Sequence, residues 1–321
     1  MQNRNYLLTI LSSILILSSC SKVIEIEVPE TDPMLVVEGS IRNNEMPLVL
    51  LSESQGYFSA FDPSEGFYLG GADVSIEVDG TTYMLDEICT DQLPESQLEA
   101  VAEMLSIDVE TLIAFPVCAY TSFAETALLG AEGKTYNLHV ILDEYDVTAS
   151  TKLNTIVPLE NAWFQIPQGS TNDSLGIIMN SYTDPDTVGN AYRWSSQRIN
   201  QYPDWHMYAG QTKDASFTYP AGSTWDDTVI NGEYFEYAVY RYTNNFEPDT
   251  AEIGFWKTGD TVLVRMETID HDAYDAIYSY EMALSSQGNP FAPPTNVRSN
   301  INGGLGWWIA YGASVDTVIC Q

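Results

Sequence analysis

Short runs in which apolar and polar residues alternate dominate the chain, each closed by Gly, Pro, Asn or Asp. Between Lys134 and Leu142, Tyr136, Leu138 and Val140 alternate with polar neighbours, which puts one face of a strand in a core and the other in water. The same pattern predicts strands over Met34–Ile41, Pro47–Glu53, Asp73–Val78, Thr81–Asp86, Val117–Thr121 and Val147–Leu153. Asp79-Gly80 separates two of them by the pair of residues that tolerates positive φ in a tight hairpin. Seven such strands predict an immunoglobulin-like β-sandwich over residues 33–155. Ile156-Val157-Pro158 marks a boundary, and residues 156–321 read as a second β-rich domain. Its strands are predicted at Ala162–Ile166, Leu175–Tyr182, Ala191–Arg198, Tyr234–Tyr242, Ile253–Trp256, Thr261–Thr268, Leu305–Ala310 and Val315–Ile319. The fold class is mostly β.

Two stretches switch to helical spacing. Pro94–Ala114 lacks glycine, and Leu98, Val101, Ala102 and Leu105 recur three and four apart. This predicts a helical insertion at about 92–116, with Asp108 capping a second turn. His271–Leu284 predicts a packed helix in the second domain, with Asp270 as N-cap and Ala273, Ile277, Tyr280 and Leu284 on its inner stripe.

Residues 1–19 have a different character. Arg4 is their one charged residue, an apolar run follows from Tyr6 to Leu17, and Ser18-Ser19-Cys20 closes the segment. Twelve helical residues rise about 18 Å, short of a bilayer core of roughly 30 Å, so this is an export signal and not a span. Leu17-Ser18-Ser19-Cys20 resembles the bacterial lipobox. That resemblance implies acyl chains on Cys20, with residues 20–32 as a tether, against the alternative of a plain secreted protein. Each buried methylene adds about 0.8 kcal/mol, so two or three chains anchor firmly.

Charge narrows the partners. Forty-five acidic side chains face twelve basic ones, for a net charge of -33. Nucleic acid binding rests on clustered Lys and Arg, and a grip on anionic lipid needs a polybasic segment, so both are excluded. In an exported chain the remaining cysteines point to a disulfide. Cys89 and Cys118 bracket the helical insertion and make the best pair, with two buried thiols as the alternative. Cys320 is left over and reads as inert.

Catalytic and cofactor signatures are sparse. There is no His-Glu-x-x-His, no Gly-x-Ser-x-Gly and no phosphate-binding Gly-rich loop. His139, His206 and His271 share no ligand spacing, so neither a metal nor a cofactor is implied. Asp184-Pro185-Asp186 resembles half a calcium loop but fits a type I turn equally well. The best recognition segment is Asn200–Asn231, where Tyr202, Trp205, His206, Tyr208, Phe217, Tyr219 and Trp225 sit among turn residues. A long loop rich in Tyr and Trp suits a ligand- or partner-binding surface, centred on Tyr202, Trp205, His206, Tyr208 and Trp225, or else a local core.

Gly288-Asn289-Pro290-Phe291-Ala292-Pro293-Pro294, followed by Ser299-Asn300-Ile301-Asn302-Gly303-Gly304-Leu305-Gly306, resembles the end of a Bacteroidetes lipoprotein family known as domain of unknown function 4249. Leu35-Val36-Val37-Glu38-Gly39, Gly71-Ala72-Asp73-Val74, Gly133-Lys134-Thr135-Tyr136-Asn137-Leu138 and Asp184 with Tyr192-Arg193 match the same family in order. Ala292-Pro293 departs from its usual Ser-Glu. The prolines and glycines of the C-terminal motif read as turn chemistry, although a ligand loop would use them too. The resemblance implies an outer-membrane lipoprotein with an accessory role beside a TonB-dependent transporter in uptake. The alternatives are a surface hydrolase of glycans or peptides, recognised by paired carboxylates, and a structural adhesin with an exposed sheet edge.

Overall fold

The alternation along the sequence becomes inside and outside in a computed structural model, which describes residues 32–56, 68–94, 97–99, 101–102, 109–123, 127–242, 252–286 and 296–321. In the first half the strands are β1 (Leu35–Arg42), β2 (Leu48–Glu53), β3 (Asp73–Val78), β4 (Thr81–Met84), β5 (Asp86–Cys89), β6 (Cys118–Thr121), β7 (Thr135–Leu142) and β8 (Tyr145–Lys152). The second half holds β9 (Asn161–Gln165), β10 (Leu175–Thr183), β11 (Ala191–Arg198), β12 (Thr224–Asp226), β13 (Tyr234–Val239), β14 (Trp256–Lys257), β15 (Thr261–Ile269), β16 (Ile301–Asn302) and β17 (Leu305–Ile319). The named α-helices are α1 (Val109–Ala114) and α2 (His271–Ser286); a short 3-10 helix spans Thr90–Gln92, and residues 97–99 and 101–102 are helical too. The chain is mostly β, as its pattern predicts.

Tyr136, Leu138 and Val140 of β7 point inward, with Val74 and Ile76 of β3 beside them and Val37, Val49 and Leu51 of β1 and β2 opposite. This is the core of the N-terminal sandwich. Asp79 and Gly80 turn the β3–β4 hairpin with φ of 50° and 77°, the mirror-image geometry that matches strand twist. The strand predicted over 81–86 breaks at Leu85. Its first part pairs in the five-stranded sheet β16-β8-β7-β3-β4, and β5 crosses to the edge of the eight-stranded sheet. Leu85 is buried between the two.

The boundary expected at residue 156 does not separate two sheets. β17 pairs in parallel with β1 from Val36↔Leu305 to Arg42↔Tyr311, and antiparallel with β15. One eight-stranded sheet, β12-β11-β15-β17-β1-β2-β6-β5, therefore carries strands of both halves. Pro33–Gln321 forms one compact unit. Trp308 and Ala310 fill the N-terminal core, and the Trp308 indole N–H donates to the Tyr136 carbonyl at 2.9 Å. Gly306 makes the join possible. At φ +97° it lies so close to β1 that a Cβ would stand 2.0 Å from the Val37 carbonyl oxygen, a position only glycine can take.

Other expectations shift in detail. The two strands predicted at 305–310 and 315–319 are one, β17, because β1 pairs with it as far as Tyr311 and β15 takes up the pairing from Gly312 to Ile319, which leaves no gap. Of Ile253–Trp256, only Trp256 joins a strand, since Gly254 turns the chain at φ +81°. The helix α2 starts as predicted, with Asp270 Oδ1 accepting the Ala273 N–H at 2.7 Å. Asp270 Oδ2 also accepts from Thr151 Oγ1 (2.6 Å) and the Lys152 N–H (3.1 Å), tying the helix to β8. Its buried stripe is Ala273, Ala276, Ile277 and Ser279, while Tyr280 and Leu284 are exposed. The helix rests by its first turns on Ala191, Ile309 and Tyr311, so residues nearer its end leave the sheet. The turns at Gly303 and Gly304 are structural, since a Cβ on Gly304 would meet the Leu35 carbonyl at 2.7 Å. Residues 287–295, Leu105 and Asp108 lie outside the described residues.

Candidate functional site

The aromatic segment divides into three parts. Residues 202–211 fold into a turn cluster held by its own backbone: Tyr202 N–H donates to the Gln211 carbonyl (2.8 Å), His206 N–H to Pro203 (2.8 Å) and Gly210 N–H to Tyr202 (3.1 Å). The rings of Tyr202 and His206 stack at 4.3 Å, and Tyr208 leans on both at 5.7 and 5.5 Å. Trp205 stands edge-on to His206, with 83% of its surface exposed, beside Met207 at 78%. The sequence-predicted residues Tyr202, Trp205, His206 and Tyr208 are thus brought together in one outward patch. Contiguous exposed apolar groups of this kind mark contact surfaces in soluble domains, and Trp, Tyr and Met are enriched there.

Phe217 and Tyr219 turn under the segment to cover a buried charge cluster. Glu267 on β15 is fully buried and accepts from Arg42 Nε (2.9 Å) and from the Tyr219 hydroxyl (3.1 Å). Arg265 Nε lies 3.3 Å from the same carboxylate, and its Nη2 donates to Tyr219 at 2.7 Å. The Arg193 guanidinium lies 3.6 Å over the Tyr219 ring, and that of Arg265 3.9 Å over Phe217. Burial alone would raise the Glu267 carboxyl, but Arg42 and Arg265 outweigh it and hold it below its ordinary value. Burial beside Glu267 pushes the Tyr219 hydroxyl up to about 12, so it stays a donor.

Trp225 parts company with the patch. It lies on β12, and its indole N–H donates to the Tyr182 hydroxyl at 2.8 Å. Its ring packs 5.0 Å from Tyr237 and 5.9 Å from Tyr192. Here the local-core reading of the segment holds, because this half pairs with β11 and is drawn over a core cluster of Val157, Tyr182, Tyr192, Ile230 and Met266. Trp225 also forms a wall of a cleft of about 580 Å³ between β12, β13 and α2. Tyr237, Tyr240, Tyr274 and Tyr278 supply further aromatic faces, and Asp226 is the charged residue among its described lining. The sequence reading missed these tyrosines. Their signal was present as Tyr274 and Tyr278 one helical turn apart, whose rings stack at 5.6 Å.

The predicted disulfide is present, with Cys89 and Cys118 directly opposite on β5 and β6 at the base of the insertion. Within the insertion, Leu98, Ala102 and Leu112 are buried. Glu87 approaches both sulfurs, but a disulfide has no thiolate to offer a metal. Cys320 is not at a loose end: it is buried, its N–H donates to the Asp260 carbonyl at 2.9 Å, and burial pushes its thiol up to about 12. Asp184 is buried and accepts from the Tyr192 hydroxyl and from Gly232 N–H (3.1 Å), and Asp186 from Asn231 Nδ2 (3.4 Å). These donors fix the turn by hydrogen bonds. Cys20 lies outside the described residues.

Fold and sites together define a β-sandwich chain whose exposed and concave aromatic surfaces suit binding. The chain belongs to the family described as domain of unknown function 4249, whose family model matches residues 21–316. No curated protein matches it.

Proposed function

We propose that this chain is an outer-membrane lipoprotein, anchored through acyl chains on Cys20, that binds as an accessory partner to a TonB-dependent transporter in nutrient uptake. The turn cluster at 202–211 is the contact surface. The observation that carries this reading is the internally bonded aromatic patch with Trp205 and Met207 almost fully exposed. A contact surface already held in shape loses little entropy on docking. The lipid anchor confines both partners to one membrane and raises their effective concentration, so a modest patch suffices. The export signal ending in Leu17-Ser18-Ser19-Cys20 supports the anchoring step.

The test is co-purification from detergent-solubilised membranes. Cys20→Ala abolishes labelling by a fatty-acid probe and releases the chain from the membrane fraction. Trp205→Ala combined with Met207→Ala leaves the melting curve unchanged and removes the co-purifying transporter. A double variant that retains the transporter sinks the surface assignment, and an unlabelled parent chain sinks the anchor.

A further inference from the structure

We infer that the cleft between β12, β13 and α2 binds an organic monocation, an ammonium group on an apolar body. Its volume of about 580 Å³ lies within the range of small-molecule sites. The wall is pre-built: Trp225 is pinned through its indole N–H to Tyr182, and Tyr237 packs on it at 5.0 Å. Tyr240 and Tyr278 line the cleft and are about half exposed, so part of each ring is open to a ligand although Tyr274 stacks on Tyr278.

Charge decides the occupant. Aromatic faces attract cations through the negative face of the ring. Asp226 supplies a formal negative charge, and neither Lys nor Arg stands among the cleft's described lining residues. An anion would meet Asp226 with nothing to balance it. The field of a chain with net charge -33 draws cations toward the surface and repels anions. Ser223, on the same wall, carries a hydroxyl oxygen without a hydrogen-bond partner. That oxygen is buried in the wall and leaves one acceptor unsatisfied.

The site is independent of the patch at 202–211. It is tested on the full chain in detergent by tryptophan fluorescence titration with phenethylammonium chloride, 3-phenylpropanol and 3-phenylpropanoate, three probes of similar size and different charge. The cation saturates, whereas the alcohol binds about tenfold more weakly and the carboxylate not at all. Asp226→Asn keeps the oxygen that accepts the Thr228 N–H at 3.2 Å, so the fold is retained while the cation loses about tenfold in affinity. Tyr278→Leu weakens the cation and spares the alcohol. The inference is overturned if the cation shows no saturation, if the alcohol binds as tightly, or if Asp226→Asn leaves the cation's affinity unchanged. Trp205→Ala leaves the titration as it is, which separates this site from the docking surface.

Discussion

Glu267→Gln tests whether the buried charge cluster holds the great sheet together. Glu267 accepts from Arg42 of β1 and from Tyr219 of the covering segment, and pairs with Arg265 on its own strand. Glutamine keeps the shape but removes the charge and turns an amide N–H₂ toward guanidiniums. Deleting one partner of a buried ion pair costs about 3–5 kcal/mol, because the remaining charges stay desolvated and unpaired. That is about a fifth or more of the stability of an ordinary domain. The same residue sets an acid dependence. Burial opposes the charged form, Arg42 and Arg265 restore it, and the folded carboxyl titrates below its ordinary 4.5. Glu267 then contributes its full stabilisation above the unfolded value, and the contribution is lost as pH falls through the lower folded value. Urea unfolding followed by tryptophan fluorescence at pH 7 and at stepwise lower pH reads both effects. The variant is expected to be weaker by about 3–5 kcal/mol at pH 7 and to lose less on acidification than the parent. A difference under about 1 kcal/mol, or parallel acid profiles, would refute the view that this carboxylate neutralises the cluster.

Replacing both Cys89 and Cys118 by Ala opens a loop of 29-residue separation and is expected to cost about 3–4 kcal/mol in the chain-entropy view. Urea midpoints with and without reductant check it, and a loss below about 1 kcal/mol would mean that Leu98, Ala102 and Leu112 hold the insertion by packing alone. Gly306→Ala drives a Cβ to 2.0 Å from the Val37 carbonyl oxygen and is expected to cost more than about 2 kcal/mol. Thermal melting and protease sensitivity of β1 report it, and an unchanged melting temperature would show that β1 and β17 can move apart freely.

Local pattern alone determined much of this molecule. The period of two placed β1, β3 and β7 within a residue of where they lie, because alternation is written into each strand by the pleat itself. Asp79-Gly80 announced its hairpin and Asp270 its helix, since turns and caps are settled by neighbours along the chain. The cysteine pair was legible because two residues flanked a segment of different period. What joins residues far apart in sequence was not legible. The parallel pairing of β1 with β17 links residues 36–42 to 305–311, and no local period records which strand another will choose. The same pairing places Arg42 beside Glu267, and packing over that sheet sends Trp205 outward and Trp225 inward although both stand in one aromatic segment. Composition supplied the rings and the charges; long-range packing alone decided which became core, which became a patch and which became the wall of a cleft.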